Sequence, residues 1–519
     1  MILITSGAFI SSEFQVELGK LPPAFLPMGN KRLYEHQVEA LRAVFPYLEI
    51  YLSVTDAYEL PVHDRLRLQA LGVHVVPVPD GLKLGESLLY VINTIGRYDE
   101  TLRIIHGDTY LREIPLFEDV VALADAEDEY PWEVESEACS GDRVWCGYFA
   151  FSDIKLLAAC LSAKRGGFVE AIRHYQKKRP QQLPLVGDWL DMGHVNTYFR
   201  SKAKFTTQRA FNDLRIAEGV VHKASAQSAK MDGEARWFSK LPHQLKRHVP
   251  QLIRQGVHEG RHFYELEYLP HLSLNELFVH GNLPPSFWRR TFGLTDRLLE
   301  SFRTAVDLKP AELDRIDQDF RQLVVDKTAQ RLAEFAAASG DSTAQPTALN
   351  GQVLPPLAEI VARCQEASLA LPARPGVAHG DLCFSNILYD SRSNALKLLD
   401  PRGINARQEA STLGDLRYDV AKFTHSVIGL YDHIVAGQFT LAESHPLDFT
   451  LEIHLDGSQR QVQQGYREHV KLLGLGCDDV LPLVVLLFVS MLPLHADNPA
   501  RQRALLANAL RLYRMWQER

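Results

Sequence analysis

The first hundred residues of the chain alternate short apolar runs with stretches of helical spacing. The runs predicted to be strands are 1–6, 48–55, 73–78 and 101–108, and the stretches predicted to be helices are 31–45 and 85–95. This order predicts a Rossmann-like α/β fold with a mostly parallel sheet covered by helices. Ligands of such sheets bind beyond the carboxyl ends of the strands, where Gly7 and Asp108 stand.

The sequence changes character after about residue 203. A strand-like run at 220–225, a helical stretch at 232–241 and a strand-like run at 262–269 precede a mainly helical remainder. This order is typical of an α+β fold and does not continue the first sheet. The predicted domains are 1–203 and 204–519, and the second has a small lobe at about 204–269 and a helical lobe at about 270–519.

Two stretches of the second domain have an unusual composition. Residues 336–356 are rich in small residues, Gly and Pro, which predicts a flexible loop, with a domain linker as the alternative. Residues 480–494 are strongly apolar, but they are fewer than the roughly 20 residues that span a bilayer. We expect a buried core helix there and no insertion into a membrane.

Composition and charge argue against several classes of function. The 519 residues carry a formal net charge of −8 without a Lys/Arg-rich run, which argues against nucleic acid as a partner. The six cysteines have no CxxC spacing, so neither a zinc site nor a disulfide framework is indicated. The N-terminal sequence lacks the features of a signal peptide. These features predict a cytoplasmic protein with small-molecule partners and leave its oligomeric state open.

The segments HGDLCFSNILYD (379–390) and LKLLDPRG (396–403) contain the residue types that phosphoryl transfer requires. That reaction needs a carboxylate that orients the attacking hydroxyl, and oxygen ligands for a metal ion that neutralises the phosphates. Asp381 can act as the base, and Asn386 can supply an amide oxygen. Asp400 ends the apolar run and can supply the main carboxylate for Mg²⁺.

This pattern, His-Gly-Asp-x-x-x-x-Asn and then an apolar strand that ends in Asp, resembles the aminoglycoside phosphotransferase and choline kinase group. That group has the protein-kinase-like fold. The resemblance implies ATP as the phosphoryl donor, Asp381 as the catalytic base, and Asn386 and Asp400 as magnesium ligands. It also implies that His379 supports the catalytic loop.

The resemblance extends beyond the metal-binding Asp. Arg402 and Gly403 stand where protein kinases carry Phe-Gly. The segment GDLRYDVAKFTHS (414–426) is similar to a segment of the same group. By that resemblance, Asp415 and Asp419 brace the catalytic loop or line the acceptor site.

The small lobe of a kinase needs a cation for the α- and β-phosphates, held by a carboxylate on a helix. Lys223, in the strand-like run, is the best candidate for this cation, with Lys230 as the alternative and Glu234 as the partner. Glu267 and Leu269 fall where backbone groups of the hinge would hold an adenine ring. A solvated strand lysine is the other interpretation of Lys223.

The first domain resembles the sugar-phosphate nucleotidyltransferases. Their opening segment is similar to ITSGAFISSEFQVELGKLPPAFLPMGNKRLYEHQ (4–37). Their two metal-binding segments are similar to HGDTYL (106–111) and WLDMGHVNTY (189–198). The resemblance implies that Asp108 and Asp191 bind one Mg²⁺, at which a phosphate attacks the α-phosphorus of a nucleotide.

The chain departs from the pattern of that family in its phosphate loop. The family has several glycines and an Arg there, followed by a Pro-Lys pair, whereas this chain has only Gly7 and Gly19 and carries Pro23 in place of the lysine. Glycines permit the close approach of backbone to phosphate. Gly7, Lys31 and Lys83 remain the candidates for nucleotide binding.

Two hypotheses follow for the whole chain. In the first, the second domain phosphorylates a sugar, polyol or amino-alcohol, and the first domain couples the product to a nucleotide such as CTP, UTP or dTTP. This bifunctional enzyme would resemble enzymes of surface-polysaccharide and capsule biosynthesis. In the second, only the kinase turns over, and the first domain binds a nucleotide or sugar, or regulates the kinase, without chemistry of its own.

Overall fold

The computed structural model describes residues 1–126, 130, 132–138, 141–205 and 213–518. The chain forms two compact units. The first unit comprises Met1–Phe205 and His280–Asn282, and the second comprises Thr206–Val279 and Leu283–Arg519. The assignment of the short segment His280–Asn282 to the first unit had no signal in the sequence.

The first unit is built on a seven-stranded sheet. The strands follow the order Val73–Val78, Ile50–Thr55, Ile2–Ser6, Leu102–His106, Gly141–Phe151 and Val120–Asp125, and Val134–Ala138 pairs with Gly141–Phe151. The first four are mutually parallel, and the remaining pairs are antiparallel. The predicted α/β fold is confirmed, and antiparallel strands extend its parallel part.

Helices cover both faces of this sheet. Ile2 and Ile4 pack into the core on one face, whereas Met1 and Leu3 pack into the core on the other, because successive side chains of a strand alternate. The helices are Ser12–Leu18, Leu33–Val44, Val62–Ala70, Leu84–Ile95, Ile154–Ala163, Phe168–Lys178 and Val195–Lys204, with a 3₁₀ turn at Pro23–Phe25. Short strands pair as Pro27–Met28 with Lys31–Arg32, and as Trp189–Asp191 with Thr109–Leu111.

The second unit begins with a small antiparallel sheet of four strands. Its order is Asp213–Ala217, Val220–Ser225, Arg261–Glu267 and Leu252–His258. The helix Ser228–Lys240 and a 3₁₀ helix at His243–His248 complete this small lobe. The predicted strand at 220–225, helix and strand at 262–269 are all present, and the strands Asp213–Ala217 and Leu252–His258 were not predicted. The α+β class is confirmed.

The rest of the second unit is mainly helical. Its helices are Leu274–Val279, Pro285–Arg303, Pro310–Val324, Asp326–Ser339, Leu357–Ala370, Leu416–Val427, Tyr431–Val435, Gly457–His469, Cys477–Met491 and Pro499–Gln517, with 3₁₀ turns at Phe384–Asn386 and Leu492–His495. Its short strands are Leu272–Ser273, Pro375–Val377, Ile387–Asp390, Ala395–Leu398, Leu413–Asp415, Lys471–Leu472 and Leu475–Gly476. The strand Ile387–Asp390 and its antiparallel partner Ala395–Leu398 place the predicted catalytic segments side by side.

The prediction of a flexible loop at 336–356 is wrong for much of its length. The preceding helix continues to Ser339, and Thr347–Leu349 and Gln352–Leu354 form a hairpin. This hairpin joins a four-stranded sheet with two further strands, Phe439–His445 and Asp448–Ile453. The helical lobe therefore contains a sheet that the sequence analysis missed.

The most apolar stretch of the chain forms the predicted core helix. In Cys477–Met491, every residue from Val480 onward is buried. The longer stretch Cys477–His495 has the length and hydropathy of a membrane-spanning helix. Within it, an 18-residue segment is 72% buried inside the protein.

Candidate functional site

Lys223 lies between two carboxylates in the second unit. Its Nζ is 2.8 Å from Oε2 of Glu234 and 3.1 Å from Oδ1 of Asp400. The Tyr264 hydroxyl donates to the same Glu234 oxygen at 2.6 Å. Burial would lower the pKa of Lys223, but the two carboxylates outweigh it and raise that pKa. Lys223 is therefore a fixed cation, whereas Lys230 is 3.7 Å from Glu234 and largely exposed.

Glycines hold Asp400 close to the helix that carries Glu234. Asp400 itself has a φ of 51°, and Gly403 has a φ of 66°, both in the left-handed region. A side chain at Gly403 would overlap the backbone of Gly233 and the amide nitrogen of Glu234. The contact therefore requires glycine at position 403, which explains why Gly follows Asp400 at this distance.

Asp381 and Asn386 face each other across a 3₁₀ turn. Nδ2 of Asn386 donates to the backbone carbonyl of Asp381 at 2.9 Å and to its Oδ2 at 3.2 Å. Because the two heteroatoms of an amide lie on opposite sides of its carbon, Oδ1 of Asn386 points away from Asp381. That oxygen is thus oriented for a second ligand.

His379 links the loop of Asp381 to the segment of Asp400. Its Nδ1 accepts a hydrogen bond from the Asp381 amide at 3.3 Å, so Nε2 carries the proton and donates to the Leu399 carbonyl at 2.8 Å. Burial lowers the pKa of His379, in agreement with a neutral ring. The imidazole therefore links the loop of Asp381 to the segment that ends in Asp400.

Asp419, on the helix Leu416–Val427, braces the loop that carries Asp381. It is fully buried, and its two oxygens accept from the amides of His379 at 2.9 Å and Gly380 at 2.7 Å. Burial raises the pKa of Asp419 to about 7. Asp415 has a different role, since it caps the helix and binds the Arg417 guanidinium at 2.7 Å.

Lys422 is the residue of this site that the sequence analysis did not single out. Its Nζ lies 2.9 Å from Oδ1 of Asp381, and its side chain is 13% exposed against 41% for Asp381. Burial would raise the pKa of Asp381, but the ammonium of Lys422 lowers it to about 2. Asp381 is therefore ionised across the physiological range. Helical spacing was the only available signal, since Lys422 follows Asp419 by one turn.

Replacing Lys422 tests this electrostatic arrangement. In Lys422→Met the burial of Asp381 is no longer offset, so the pKa of Asp381 rises. The acid limb of kcat/KM for the predicted phosphoryl transfer then moves up to about pH 4–5. Lys422→Arg keeps the charge and should keep the limb below the measured range. The pH profile of both variants between pH 4 and 9 checks this, with circular dichroism as the control for folding. An unchanged limb in Lys422→Met would contradict it.

The hinge candidates follow the strand Arg261–Glu267. The Glu267 amide donates to the Gln251 carbonyl at 3.0 Å, and the Tyr268 amide donates to Gly219 at 2.8 Å. Across the described ranges, the Leu269 amide has no backbone partner, and the Leu269 carbonyl accepts from His271. The Leu269 N–H is therefore the hinge donor that remains for a ligand.

Oxygen atoms around Asp400 suit a magnesium ion better than a softer metal. Asp400 provides a carboxylate, and Asn386 provides an amide oxygen that also accepts from Oγ of Ser385 at 3.5 Å. Mg²⁺ commonly takes one or two protein ligands together with substrate phosphates. Within the described ranges, no group of three or more His, Cys, Asp or Glu residues could hold a metal ion by itself. A metal at this site would therefore depend on the nucleotide.

The two predicted metal carboxylates of the first unit also lie together. A side chain at Gly193 would be 2.6 Å from Oδ2 of Asp108 and 3.4 Å from Oδ1 of Asp191, so both carboxylates border the same glycine. The amide of Met192 donates to the Asp108 carbonyl at 2.8 Å. Burial, and then the charge of Asp191, raise the pKa of Asp108 to about 6. Two carboxylates held this close favour a bound cation.

Asp191 is oriented by its neighbours. Its Oδ2 accepts from Oγ1 of Thr197 at 2.5 Å and lies 2.9 Å from Nδ1 of His194, and its Oδ1 accepts from the Gly193 amide at 3.3 Å. The His194 ring stacks on Tyr130 with a centroid distance of 3.9 Å. The sequence analysis named Asp191 but none of these partners.

Gly7 and Lys83 meet the same helix, Leu84–Ile95. A side chain at Gly7 would be 2.7 Å from Oγ of Ser87, in the first turn of this helix, and Lys83 is its exposed N-cap residue. The positive end of a helix favours anions. Gly7 and Lys83 therefore both lie at the N-terminal end of this helix, and Gly7 directly follows the strand Ile2–Ser6.

The other residues considered for the phosphate loop do not contact the helix Leu84–Ile95 in this way. They are Lys31, Pro23 and Gly19. Nζ of Lys31 lies 2.5 Å from Oε1 of Glu39 on the following helix. Pro23 begins a 3₁₀ turn whose second residue, Ala24, donates to Oγ of Ser6 at 3.0 Å. A side chain at Gly19 would overlap the backbone of the segment His280–Asn282, so that glycine serves a chain contact.

Aromatic and basic side chains line a cavity beside Asp191. The cavity has a volume of about 280 Å³ and is bordered by Trp132, Trp189, Arg200 and Lys204. The two indole rings meet edge to face at 5.2 Å. The sequence analysis did not single out these four residues, because their approach depends on the fold.

The part of the chain that contains the candidate site residues of the second unit matches the model of a known family. The model of the phosphotransferase enzyme family matches residues 193–445, a range that includes both Lys223 and Asp400. The family predicted for this part of the chain is therefore confirmed over that range. None of the curated proteins matches the chain significantly.

Several solved structures are similar to parts of the chain. A nucleoside-diphosphate-sugar pyrophosphorylase from Vibrio cholerae RC9 is 15% identical, with a TM-score of 0.33, over 39% of this chain and 99% of its own. HddC from Yersinia pseudotuberculosis is 13% identical, with a TM-score of 0.30, over 40% and 99%. A thermostable mutant of aminoglycoside phosphotransferase APH(4)-Ia is 10% identical, with a TM-score of 0.36, over 60% and 92%.

Proposed function

We propose that the second unit transfers the γ-phosphoryl group of ATP to a hydroxyl group of a small metabolite. We propose further that the first unit couples the phosphorylated product to a nucleotide such as CTP, UTP or dTTP. The combined product would be a nucleotide-activated building block, made in the cytoplasm for a surface polysaccharide. The acceptor would be a sugar, a polyol or an amino-alcohol.

The observation that carries the kinase proposal is the convergence around Asp400. Lys223 from the small lobe lies 3.1 Å from Asp400, and Glu234 holds the same lysine at 2.8 Å. Asp381 and Asn386 lie on the adjoining loop and are in hydrogen-bond contact. These side chains come from distant parts of the sequence, and phosphoryl transfer needs each of their chemical types.

Each residue then has a defined task. Asp381 accepts a hydrogen bond from the acceptor hydroxyl, whose oxygen attacks the γ-phosphorus while the bond to the leaving ADP breaks, and Asp381 receives the proton. Its low pKa suits this task because the transition state is loose, so the base orients the hydroxyl and takes the proton late. Lys223 binds the α- and β-phosphates. Asn386 and Asp400 would hold Mg²⁺, which would supply positive charge to offset that of the phosphates.

The contact of Asp108 and Asp191 supports nucleotidyl transfer by the first unit. There a phosphate oxygen of the phosphorylated metabolite would attack the α-phosphorus of the nucleotide, and pyrophosphate would leave. Both carboxylates border Gly193 and would hold the Mg²⁺ of this reaction. Gly7, Lys31 and Lys83 are the proposed contacts of the nucleotide.

The alternative is a kinase whose first unit binds a nucleotide or sugar without chemistry. Pro23 favours this alternative, since proline supplies no charge where the related enzymes have lysine. Pro23 is the first residue of the 3₁₀ turn Pro23–Phe25. The two proposals differ in one product, pyrophosphate.

Two assays on the full-length protein test the proposal. The first measures ADP formation from ATP and Mg²⁺ with a panel of sugars, polyols and amino-alcohols. The second adds CTP, UTP or dTTP to the phosphorylated product and measures pyrophosphate. ADP that depends on an alcohol supports the kinase, and pyrophosphate that depends on its product supports the bifunctional enzyme. ADP without pyrophosphate supports the alternative, and no alcohol-dependent ADP contradicts both.

A further inference from the structure

The second unit has a surface cavity that shares no lining residue with the candidate kinase site. Its volume is about 420 Å³. It is formed by the 3₁₀ helix His243–His248, the helix Pro285–Arg303, and the turn and strand at 393–397. Pockets for small molecules typically measure roughly 300–1,000 Å³. This cavity is therefore large enough for a metabolite.

Three cationic side chains line this cavity, one from each of the elements that form it. They are Arg247 on the 3₁₀ helix, Arg297 on the helix Pro285–Arg303, and Lys397 on the strand. None of the described residues that line the cavity is an Asp or a Glu. Within the described ranges, none of the three cations forms an ion pair. No acidic side chain of the cavity wall therefore neutralises their charge.

Hydrogen bonds hold two of these cations side by side. Nζ of Lys397 donates to the backbone carbonyl of Arg247 at 2.8 Å. Nε of Arg247 donates to Nε2 of His248 at 3.1 Å, so Nδ1 of this imidazole carries the proton and donates to the Leu396 carbonyl at 3.3 Å. Burial lowers the pKa of His248, and the charges of Arg247 and Lys397 act in the same direction, which agrees with a neutral ring. The imidazole thus orients the Arg247 guanidinium.

The guanidinium groups keep donors for a ligand. Across the described ranges, Nη1 and Nη2 of Arg247 form no hydrogen bond with the chain, and the Arg297 guanidinium forms none either. A guanidinium binds phosphate through two parallel N–H donors. Asn394, which also lines the cavity, accepts from the Tyr389 hydroxyl at 3.0 Å through Oδ1, so its Nδ2 lies on the opposite side of the amide and can donate.

The acidic residues closest in sequence to the lining have partners outside the cavity. Asp296 accepts from the Leu473 amide at 2.9 Å. Asp390 accepts from the Ser393 hydroxyl at 2.5 Å, and Glu300 pairs with an arginine of its own helix. None of the three carboxylates lines the cavity. An anion that enters would therefore meet the cations without a competing carboxylate in the wall.

Apolar side chains form the rest of the wall. Leu294, Leu298 and Leu396 line the cavity, and the last two are buried. Their surface suits the sugar ring, base or carbon chain of a ligand, because contact removes apolar area from water. A compound with a phosphate group and such a body matches both parts of the wall.

A hairpin separates this cavity from the candidate catalytic residues. The strand Ala395–Leu398 pairs antiparallel with Ile387–Asp390, so the turn at 391–394 adjoins one end of the hairpin. Asn386 and Asp400 adjoin the other end. Each strand residue spans about 3.3 Å, which places the two ends about 10 Å apart. A ligand in the cavity would therefore not displace a nucleotide at Asp400.

We infer that this cavity is a second ligand site of the unit, and that Arg247, Arg297 and Lys397 bind the phosphate group of a small phosphorylated metabolite there. The inference goes beyond the two proposed reactions and depends on neither. Because each cation comes from a different element, the ligand would join the small lobe to the helix and hairpin of the helical lobe. Its binding should therefore stabilise the folded second unit.

Calorimetric titration of the whole chain tests the inference. AMP and glucose 6-phosphate are the probes, with adenosine and glucose as their neutral counterparts. A non-hydrolysable ATP analogue and Mg²⁺ are present throughout, so that the nucleotide site is occupied. Contacts between the cations and a phosphate imply a Kd about tenfold or more lower for at least one phosphate than for its neutral counterpart.

Variants of the cations locate the bound phosphate. Arg297→Met and Lys397→Met should each raise the Kd of the phosphate by about tenfold. Arg289→Met is the matched control, since Arg289 is an exposed arginine on the same helix and does not line the cavity. It should leave the Kd unchanged. The phosphate should also raise the melting temperature of the wild type and of Arg289→Met more than that of the other two variants.

Three results would overturn the inference. The first is that both phosphates bind no more tightly than their neutral counterparts. The second is an unchanged Kd in Arg297→Met and Lys397→Met, because the phosphate would then be bound elsewhere. The third is binding that appears only when the ATP analogue is omitted, which would assign the phosphate to the nucleotide site. Arg297→Glu, at an exposed position, replaces Lys397→Met if circular dichroism shows that the latter does not fold.

Discussion

Asp381→Asn should reduce kinase kcat by about 10²- to 10⁴-fold, which is the usual contribution of a general base. The substitution keeps the size of the side chain and its contact with Asn386 but removes the charge that orients the hydroxyl and accepts its proton. The KM for ATP should change little, because the proposed nucleotide contacts are Lys223 and Asp400, which pair with each other and not with Asp381. ADP formation with the best acceptor, measured at several ATP concentrations, checks this.

The control for this variant must separate catalysis from stability. Asp381 neutralises the buried ammonium of Lys422, so its loss also leaves an unpaired charge. Asp317→Asn changes an exposed carboxylate on the helix Pro310–Val324 and should retain full activity. If Asp381→Asn folds, binds ATP and keeps its rate, the assignment of Asp381 as the base is wrong.

Asp108→Asn should abolish pyrophosphate release, with a loss of about 10²- to 10³-fold, and leave the kinase reaction intact. Asp108 and Asp191 border the same glycine, and the neutral amide of the variant removes one of the two negative charges that would bind Mg²⁺. The pyrophosphate and ADP assays on one preparation check both parts of this expectation.

Asp99→Asn is the matched control, since Asp99 is 87% exposed and pairs with the surface residue Lys155. It should leave both products unchanged. Retained pyrophosphate release in Asp108→Asn would show that the metal assignment in the first unit is wrong. Loss of ADP formation in the same variant would show instead that the two activities depend on each other.

The local parts of both sites were predictable from the sequence. Asp381, Asn386 and Asp400 lie within about one strand hairpin of each other, so their spacing is a property of the local chain. Lys223 and Glu234 were found because a strand and the next helix are neighbours in a small sheet. The contact of Lys223 with Asp400, in contrast, joins two segments that no spacing rule connects.

Residues that reach the site through tertiary packing were missed for a physical reason. Lys422 lies on the helix Leu416–Val427, most of whose residues are buried, and a lysine is usually solvated. Only the packing of the helix Leu416–Val427 against the catalytic loop turns Lys422 toward Asp381. Sequence periodicity predicts which residues share a face but not what that face meets.

The missed hairpin had a local signal that its composition obscured. Asn350 and Gly351 have φ angles of 51° and 78°, the left-handed pair that a tight hairpin turn requires. An Asn-Gly pair between two short apolar runs indicates such a turn. The surrounding Gly, Pro and small residues favoured a loop instead, and the parallel pairing with Asp448–Ile453 could not be foreseen.

The contact between Gly233 and Gly403 limits how this kinase unit can be controlled. The helix that carries Glu234 cannot swing outward or rotate without separating two backbone segments that touch directly. An off state reached by withdrawing that helix would therefore have to give up the contact between Gly233 and Gly403 as well as the ion pair of Lys223 with Glu234.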